Sequence, residues 1–444
     1  MTKEKNNKPS KELPLGFVDR QEKELLVRDF IISNIKEVMI KYGFQYLETP
    51  SFEYSDSIGK FLPDKERPDE GVFSFKDENK WLSLRYDLTA PLARYVAKNY
   101  LEIPKPFKRY QLGTVWRNEK PGPGRFREFL QFDADYVGTK SLQADAELCV
   151  MISEILEKCG LNKSEYIIKI SSRKITEELF KKINIKDNQQ RLIGLRALDK
   201  IDRLGWSGVK ELLGEGRKDK SGDFTKGANL NPDDVKIIEE TLKKNSPDTE
   251  DLIEILKIFK DYNFNNFEFD PSVIRGLEYY TGAIFEVNLK FNVTNTKGKV
   301  IQFGSIGGGG RYDDLINNFG NYDAPATGIS IGLDRLVYAL MQKKEFKVKQ
   351  SKPIVICVFD KNSMKDYINI QTILREAGVS TEIYPGESKL KKQMEYANKI
   401  KSPAVILYGE NEIKSGKLTL RNLGSGGEKS IEIKKLVNEI KKII

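Results

Sequence analysis

The sequence predicts an N-terminal part that mixes helices with antiparallel hairpins, a helical module inserted into it, and a separate C-terminal α/β domain. Three observations carry this. Residues 114–137, TVWRNEKPGPGRFREFLQFDADYV, read as a strand, a Pro/Gly loop and a second strand. Residues 162–262 are rich in Lys, Asp, Glu and Asn, with helical pieces such as Arg191–Leu204 and Pro232–Lys244, and read as an inserted module. Beyond residue 352, strand and helix patterns alternate, which predicts a mostly parallel sheet in a domain of about 90 residues.

In chain order, residues 1–12 read as a disordered tail with no apolar segment of the kind a secretory leader carries. Leu25, Leu26, Phe30, Ile31, Ile35, Val38 and Met39 recur at helical spacing and predict a long amphipathic helix, stopped near Gly43. A strand at Phe44–Pro50 follows, then a hairpin pairing Val72–Phe75 with Trp81–Leu84. Asp87 and Thr89 stand where a strand hands over to a helix; both are helix-capping types, so a cap is the plain reading of each. A helix is expected at about 141–159. Strand character returns over Ser272–Asn288, and Gly307–Gly310 form a glycine run that lets a backbone approach another group closely. Residues 344–352 read as a charged linker, and 353–444 hold the α/β domain.

Within 114–137, Arg125, Arg127, Phe129, Gln131, Asp133 and Asp135 fall at every second position and so share one face of a strand. Phe126, Leu130, Phe132, Ala134 and Tyr136 take the other face, as core. The first strand adds Arg117 and Glu119. Such a row is either a solvated sheet face or a platform for a ligand with phosphate, aromatic and cationic parts.

Composition narrows the chemistry. With 39% hydrophobic and 31% charged residues, the 444-residue chain is expected to be soluble and globular. No apolar run approaches the roughly 18–20 residues that span a bilayer. The net charge of +9 favours polyanionic partners without identifying one. Three cysteines without a C-x-x-C point away from a disulfide framework or a zinc site and fit a reducing cytoplasm. There is no histidine, which excludes Ser-His-Asp and Cys-His catalysis and His-ligated metals. Arginine, carboxylate and tyrosine chemistry remains.

The motifs LRYDLTAPLARY (84–95), RGLEYYTG (275–282), GGGRYDDL (308–315) and IGLDRL (331–336), with the hairpin at 114–137, resemble the histidyl-tRNA synthetase family, a class II aminoacyl-tRNA synthetase group, over nearly the whole chain. The resemblance implies a catalytic domain at 13–343, built on an antiparallel sheet flanked by helices and interrupted by the 162–262 insertion, and an anticodon-binding domain at 353–444. It implies a cytoplasmic homodimer acting on ATP with Mg²⁺, L-histidine and histidine tRNA. Residue by residue, Arg117 matches the arginine on the α-phosphate and Arg275 the histidine-specific arginine beside it. Glu119, Arg125, Arg127 and Phe129 match positions that cradle ATP, and Arg335 the arginine on the γ-phosphate. Asp87, Thr89 and Gln131 match the pocket for the α-amino group. Asp135 and Tyr280, with Tyr279 alongside, match the groups on the imidazole nitrogens. Glu278 and Asp314 depart from the family's usual Asp and Gly.

Overall fold

The computed structural model describes residues 10–59, 71–122, 124–219, 222–275, 279–294, 298–343, 346, 351–386 and 388–444. Residues 1–9 of the expected tail, Pro123 of the hairpin loop, Gly276, Leu277 and Glu278, and most of the expected linker lie outside these. The chain divides into two compact units, residues 1–348 and 349–444.

The first unit is built on an eight-stranded sheet. Helix α1 (Glu22–Lys41) leads into β1 (Gln45–Tyr46); a small sheet of β2 (Phe52–Tyr54), β3 (Ser74–Asp77) and β4 (Lys80–Leu84) comes next, with α2 (Ser55–Gly59) between its strands. Helix α3 (Thr89–Lys98) precedes the long hairpin β5 (Phe107–Trp116) and β6 (Glu128–Val137), and α4 (Leu142–Lys158) runs on to β7 (Tyr166–Ser172). After α5 (Arg173–Lys182), α6 (Asn188–Leu198), α7 (Ile201–Leu213), the hairpin β8 (Gly216–Lys218) and β9 (Phe224–Lys226), α8 (Pro232–Leu242) and α9 (Glu250–Asp261), the chain rejoins the sheet through β10 (Phe267–Phe269), β11 (Ala283–Thr294), β12 (Val300–Arg311) and β13 (Ala326–Gly332), and α10 (Leu333–Gln342) follows. The sheet order is β1-β5-β6-β13-β12-β11-β7-β10. From β5 across to β7 every pairing is antiparallel, as expected, but β1 and β10 join the two edges in parallel, so the whole sheet is mixed.

One face of this sheet is the core. Phe132, Ala134 and Tyr136 of β6 pack there with Ile31 and Ile35 of α1, Ile152 and Ile155 of α4, Ile255 and Phe259 of α9 and Leu336 and Val337 of α10. The alternation is obeyed from Phe132 to Tyr136, where one set of side chains is apolar and buried and the other is left to face the site; Phe126 and Leu130 are half-buried and Glu128 interrupts the apolar set.

The insertion is shorter than 162–262. Strand β7 pairs with β11 over Tyr166–Ser172 inside the main sheet, and Leu252, Ile255 and Phe259 of α9 belong to the main core. The inserted module has its own core, from Leu179 to Ile238, which also takes in Ile274. Composition misplaced the limits because the charged and amide residues of 162–262 run continuously across both junctions, masking one buried strand and one amphipathic helix.

The second unit is a five-stranded sheet. Strands β14 (Ile354–Cys357), β15 (Thr381–Ile383) and β16 (Ala404–Leu407) pair in parallel through crossover helices α11 (Met364–Glu376) and α12 (Leu390–Lys399). After a short helix, Glu410–Ser415, β17 (Lys417–Asn422) and β18 (Glu428–Glu432) extend the sheet antiparallel. Buried side chains lie on both faces, as a strand-and-helix alternation requires.

Candidate active site

The site lies on the other face of the eight-stranded sheet, and the register explains its shape. Arg109 of β5 stands opposite Asp135 of β6, which stands opposite Gly328 of β13, which stands opposite Gly310 of β12. One step along, Gln111, Asp133, Ser330, Gly308 and Glu286 form a parallel row. Directly opposed residues share a face, so charged groups from β5 and β6 border a floor where three positions have no side chain. The glycines are required by space. A Cβ on Gly328 would come 1.9 Å from Asp135 Oδ1, and one on Gly308 would come 2.3 Å from the Arg275 guanidinium.

The hollow above this floor is lined by Asp87, Thr89, Arg117, Gln131, Asp133, Asp135, Arg275, Tyr279, Tyr280 and Tyr312. Every residue assigned above to the amino-acid pocket is there, with Arg117 and Arg275. The cap reading of Asp87 also holds: its Oδ1 accepts from the Ala90 backbone N–H at 3.0 Å, at the start of α3. One carboxylate thus anchors a helix and borders the cleft. Gln131 Nε2 donates to Asp133 Oδ1 at 2.8 Å, and Thr89 Oγ1 is 3.4 Å from Asp133 Oδ2. Tyr312 donates its hydroxyl to Asp135 Oδ1. Arg109, wholly buried, brings Nη2 to 2.9 Å from Asp135 Oδ2, an ion pair that lacks the alignment of a hydrogen bond.

Burial governs the electrostatics. It pushes the Asp133 carboxyl up to about 7, and the neighbouring Asp135 adds repulsion. Asp135 is raised by burial too, against the pull of Arg109 and the Tyr312 hydroxyl. Asp87 is raised by burial and held back by the Ala90 N–H and Arg117.

The nucleotide positions are arranged differently. Arg117 hydrogen-bonds the Tyr86 carbonyl at 3.2 Å and lies between two rings, 4.5 Å from the centroid of Tyr86 and 5.2 Å from that of Phe129. Glu119 accepts from the Tyr86 hydroxyl at 2.6 Å, and its carboxylate is 3.8 Å from Arg125. Arg127 donates Nε–H to the Glu119 carbonyl at 3.1 Å. Glu119, Arg125, Arg127, Phe129 and Arg335 do not line the hollow. Arg335 stands against Phe303, donating to its carbonyl at 2.8 Å, with Arg125 and Glu286 in electrostatic reach. Burial, then Arg125, lowers its guanidinium to about 10. Glu286 also lies 3.8 Å from Arg275 and so connects the two arginines. Arg275 itself has φ +56°, a left-handed backbone that a non-glycine residue adopts only under local constraint.

A brace joins α10, which carries Arg335, to the start of β6. Arg20 grips Asp334 through Nε at 3.1 Å and Nη2 at 2.7 Å, and Asp334 accepts from the Leu130 N–H at 2.9 Å. Arg127 N–H bonds the Gly16 carbonyl at 2.8 Å. The segment around 16–20 therefore fixes the first turn of α10, where Arg335 sits, against the start of β6.

Asp133 and Tyr312, which line the hollow, and Arg109, buried behind Asp135, have no assigned role in the sequence pattern. Alternation applied to β5 would have found Arg109, because Arg109, Gln111 and Arg117 share parity with the face of β6 that they oppose. Tyr312 has no local signal beyond following the glycine run.

A mixed sheet with an antiparallel centre, flanked by helices and surrounding such an arginine-bordered hollow, is the catalytic domain of a class II aminoacyl-tRNA synthetase. A family model described as histidyl-tRNA synthetase matches residues 16–336, and one described as an anticodon binding domain matches 353–443. Histidine–tRNA ligase of Bartonella quintana is 44% identical over 459 residues, covering 97% of this chain and 92% of that one. Histidine–tRNA ligase of Rhizobium meliloti is 44% identical, covering 97% and 91%. The crystal structure of histidyl-tRNA synthetase from Nostoc sp. PCC 7120 superposes with a TM-score of 0.73 at 26% identity, covering 98% of this chain and all of that one, 100%. The chain belongs to the histidyl-tRNA synthetase family.

Proposed function

We propose that this cleft activates histidine with ATP, giving histidyl-adenylate and pyrophosphate, and then passes the histidyl group to the terminal adenosine of histidine tRNA. The observation that carries the reading is the convergence of Arg117 and Arg275 on a hollow bordered by Asp87, Asp133, Asp135 and Tyr280. An amino acid with a cationic α-amino group and two ring nitrogens fits the carboxylate side, and phosphate fits the arginine side.

In this reading the substrate carboxylate attacks the α-phosphorus in line and the bond to pyrophosphate breaks, so no protein nucleophile is needed. Arg117 and Arg275 meet the charge that builds on the α-phosphate; a guanidinium suits this because its planar fork stays charged and binds oxygens in pairs. Asp87, Thr89 and Gln131 hold the α-ammonium, Asp135 and Tyr280 the imidazole nitrogens, and Tyr279 supports Tyr280, its ring centroid 4.9 Å away. Glu119, Arg125, Arg127, Phe129 and Arg335 close on the nucleotide. Mg²⁺ is assigned a place with the triphosphate: Glu286, beside Arg275 and in reach of Arg335, is an oxygen donor of the kind it takes. The ion would supply further neutralisation of phosphate charge. An amino acid without ring nitrogens would leave Asp135 and Tyr280 buried without the ligand partner each is placed to meet, a mismatch worth roughly 10⁴-fold in discrimination.

Residues 353–444 are assigned the anticodon; the resemblance adds a homodimer, which sedimentation equilibrium tests, and the cysteine usage fits a reducing cytoplasm. Among the described residues no helix is long and apolar enough to cross a membrane. The test of the activity is exchange of labelled pyrophosphate into ATP. Exchange should require histidine and proceed without tRNA; an absence of histidine-dependent exchange refutes the reading.

A further inference from the structure

We propose that Arg109, assisted by Tyr312, sets the charge and aim of Asp135 and is thereby a positioning residue for selection of the imidazole. The inference rests on the histidine-pocket reading above and names what makes that pocket work.

Three carboxylates, Asp87, Asp133 and Asp135, border one small hollow, and each is at most 6% exposed. Left to themselves, like charges this close and this dry neutralise by taking up protons. A protonated Asp135 would turn one oxygen from acceptor to donor, and an imidazole N–H could no longer count on it. The charged and titratable groups around Asp135 are Arg109 from β5, Asp133 from β6, Asp87 from the start of α3 and Tyr312 from beyond β12. Of these, Arg109 alone carries positive charge, and it is 0% exposed. It stands directly opposite Asp135 in the hairpin, and it is itself fixed: Nη2 donates to the Leu88 carbonyl at 3.0 Å and Nη1 to Gln111 Oε1 at 3.3 Å. Tyr312 occupies Oδ1 and Arg109 faces Oδ2, so both oxygens are oriented and each keeps a lone pair for a ligand. Arg117 and Arg275 border the same hollow but bond other groups, Arg117 the Tyr86 carbonyl and Gln131 Oε1, Arg275 the Gly307 carbonyl. Arg109 therefore does for the amino-acid pocket what a second carboxylate does for a metal-bound histidine: it fixes the state of the group that touches the ligand.

The test follows pyrophosphate exchange against histidine and ATP concentration across pH. Replacing the guanidinium with a neutral amide, Arg109→Gln, should raise the KM for histidine about tenfold, leave the KM for ATP nearly unchanged, and move the pH at which histidine binding strengthens upward by about one unit. Arg109→Lys should recover part of both effects, because it restores the charge but not the fork. Tyr312→Phe should shift both in the same direction by less, and it decides the matter if the Arg109 variants do not fold. Asp135→Asn separates the two levels of the argument. If it leaves the histidine KM unchanged, the pocket assignment is wrong. If it raises that KM while the folded Arg109 variants and Tyr312→Phe keep both the wild-type KM and pH profile, the role of Arg109 is refuted.

Discussion

On the side of the cleft proposed for the amino acid, Asp87, Gln131, Asp133, Asp135 and Tyr280 are each no more than 6% exposed; Asp87 is bonded to the start of α3, Gln131 to Asp133, and Asp135 to Tyr312. On the nucleotide side, the Arg125 side chain is 57% exposed and the Glu119 side chain 32%, and Arg117 spends its cation on the rings of Tyr86 and Phe129. The first half is set by strand register, where neighbours are fixed by backbone pairing. The second is set by a loop and two long side chains that reach over it. A group held by register needs little reorganisation when substrate arrives, whereas one held by rings and solvent must be drawn onto the triphosphate. The difference matches the two tasks: discriminating one amino acid needs a rigid set of partners, while gripping a charged, common nucleotide needs reach.

Variants at Arg275 bear hardest on this contrast, since that residue borders both halves. Arg275→Ala should keep the fold and lower histidine-dependent pyrophosphate exchange by about 10²–10³-fold, as loss of one transition-state donor does; exchange at the wild-type rate would remove Arg275 from the chemistry. Tyr280→Phe should raise the KM for histidine about tenfold with little change for ATP, since it deletes one buried partner of the ring. Steady-state kinetics with each substrate varied in turn read this out, and equal effects on both substrates would blur the division between the halves. Arg20→Met cuts the brace to Asp334 and should act on the other side, raising the KM for ATP by a few-fold, up to about tenfold, while the KM for histidine holds. A rise confined to histidine would reverse that assignment.

The smallest expected effect is one of pH. Below about 7 Asp133 is protonated, and an α-ammonium loses one of its anionic neighbours; the KM for histidine should therefore fall as pH rises through that value. The sign for stability is opposite. Between its ordinary range near 4 and its raised value, the native state keeps a proton that the unfolded chain releases, so this group's contribution to stability declines with rising pH. Asp133→Asn should flatten both trends. A histidine KM that is level from pH 6 to 8 in the wild type, measured with the substrate's own imidazole titration subtracted, would show that Asp133 does not govern binding.

Much of this arrangement is legible in the sequence where a single strand suffices. The row Arg125 to Asp135 announces a polar face and an apolar back by parity alone, and the alternating segments after residue 352 announce their α/β sheet in the same way. What needs two strands at once is not legible. Gly307–Gly310 is a weak signal until β13 supplies Gly328 opposite Gly310, and only then does the run become the floor of a hollow. Arg109 looks like one more cation in FKRYQLGTVW until the hairpin puts it opposite Asp135. Strand β7, YIIKISS, carries its own apolar run, but the lysine-rich texture on either side hides it, and its place in the main sheet is fixed only by pairing with β11 and β10. The parallel direction of the edge strands β1 and β10 is not legible for the same reason: strand direction belongs to a pair.

The most direct measurement is calorimetric titration of histidine into the nucleotide-free protein, with alanine and phenylalanine as comparisons. A prebuilt amino-acid half should bind histidine without ATP and show no measurable heat with the other two. If histidine binds only after ATP or a non-hydrolysable analogue is added, the pocket is assembled by the nucleotide, and the account of two differently built halves is contradicted.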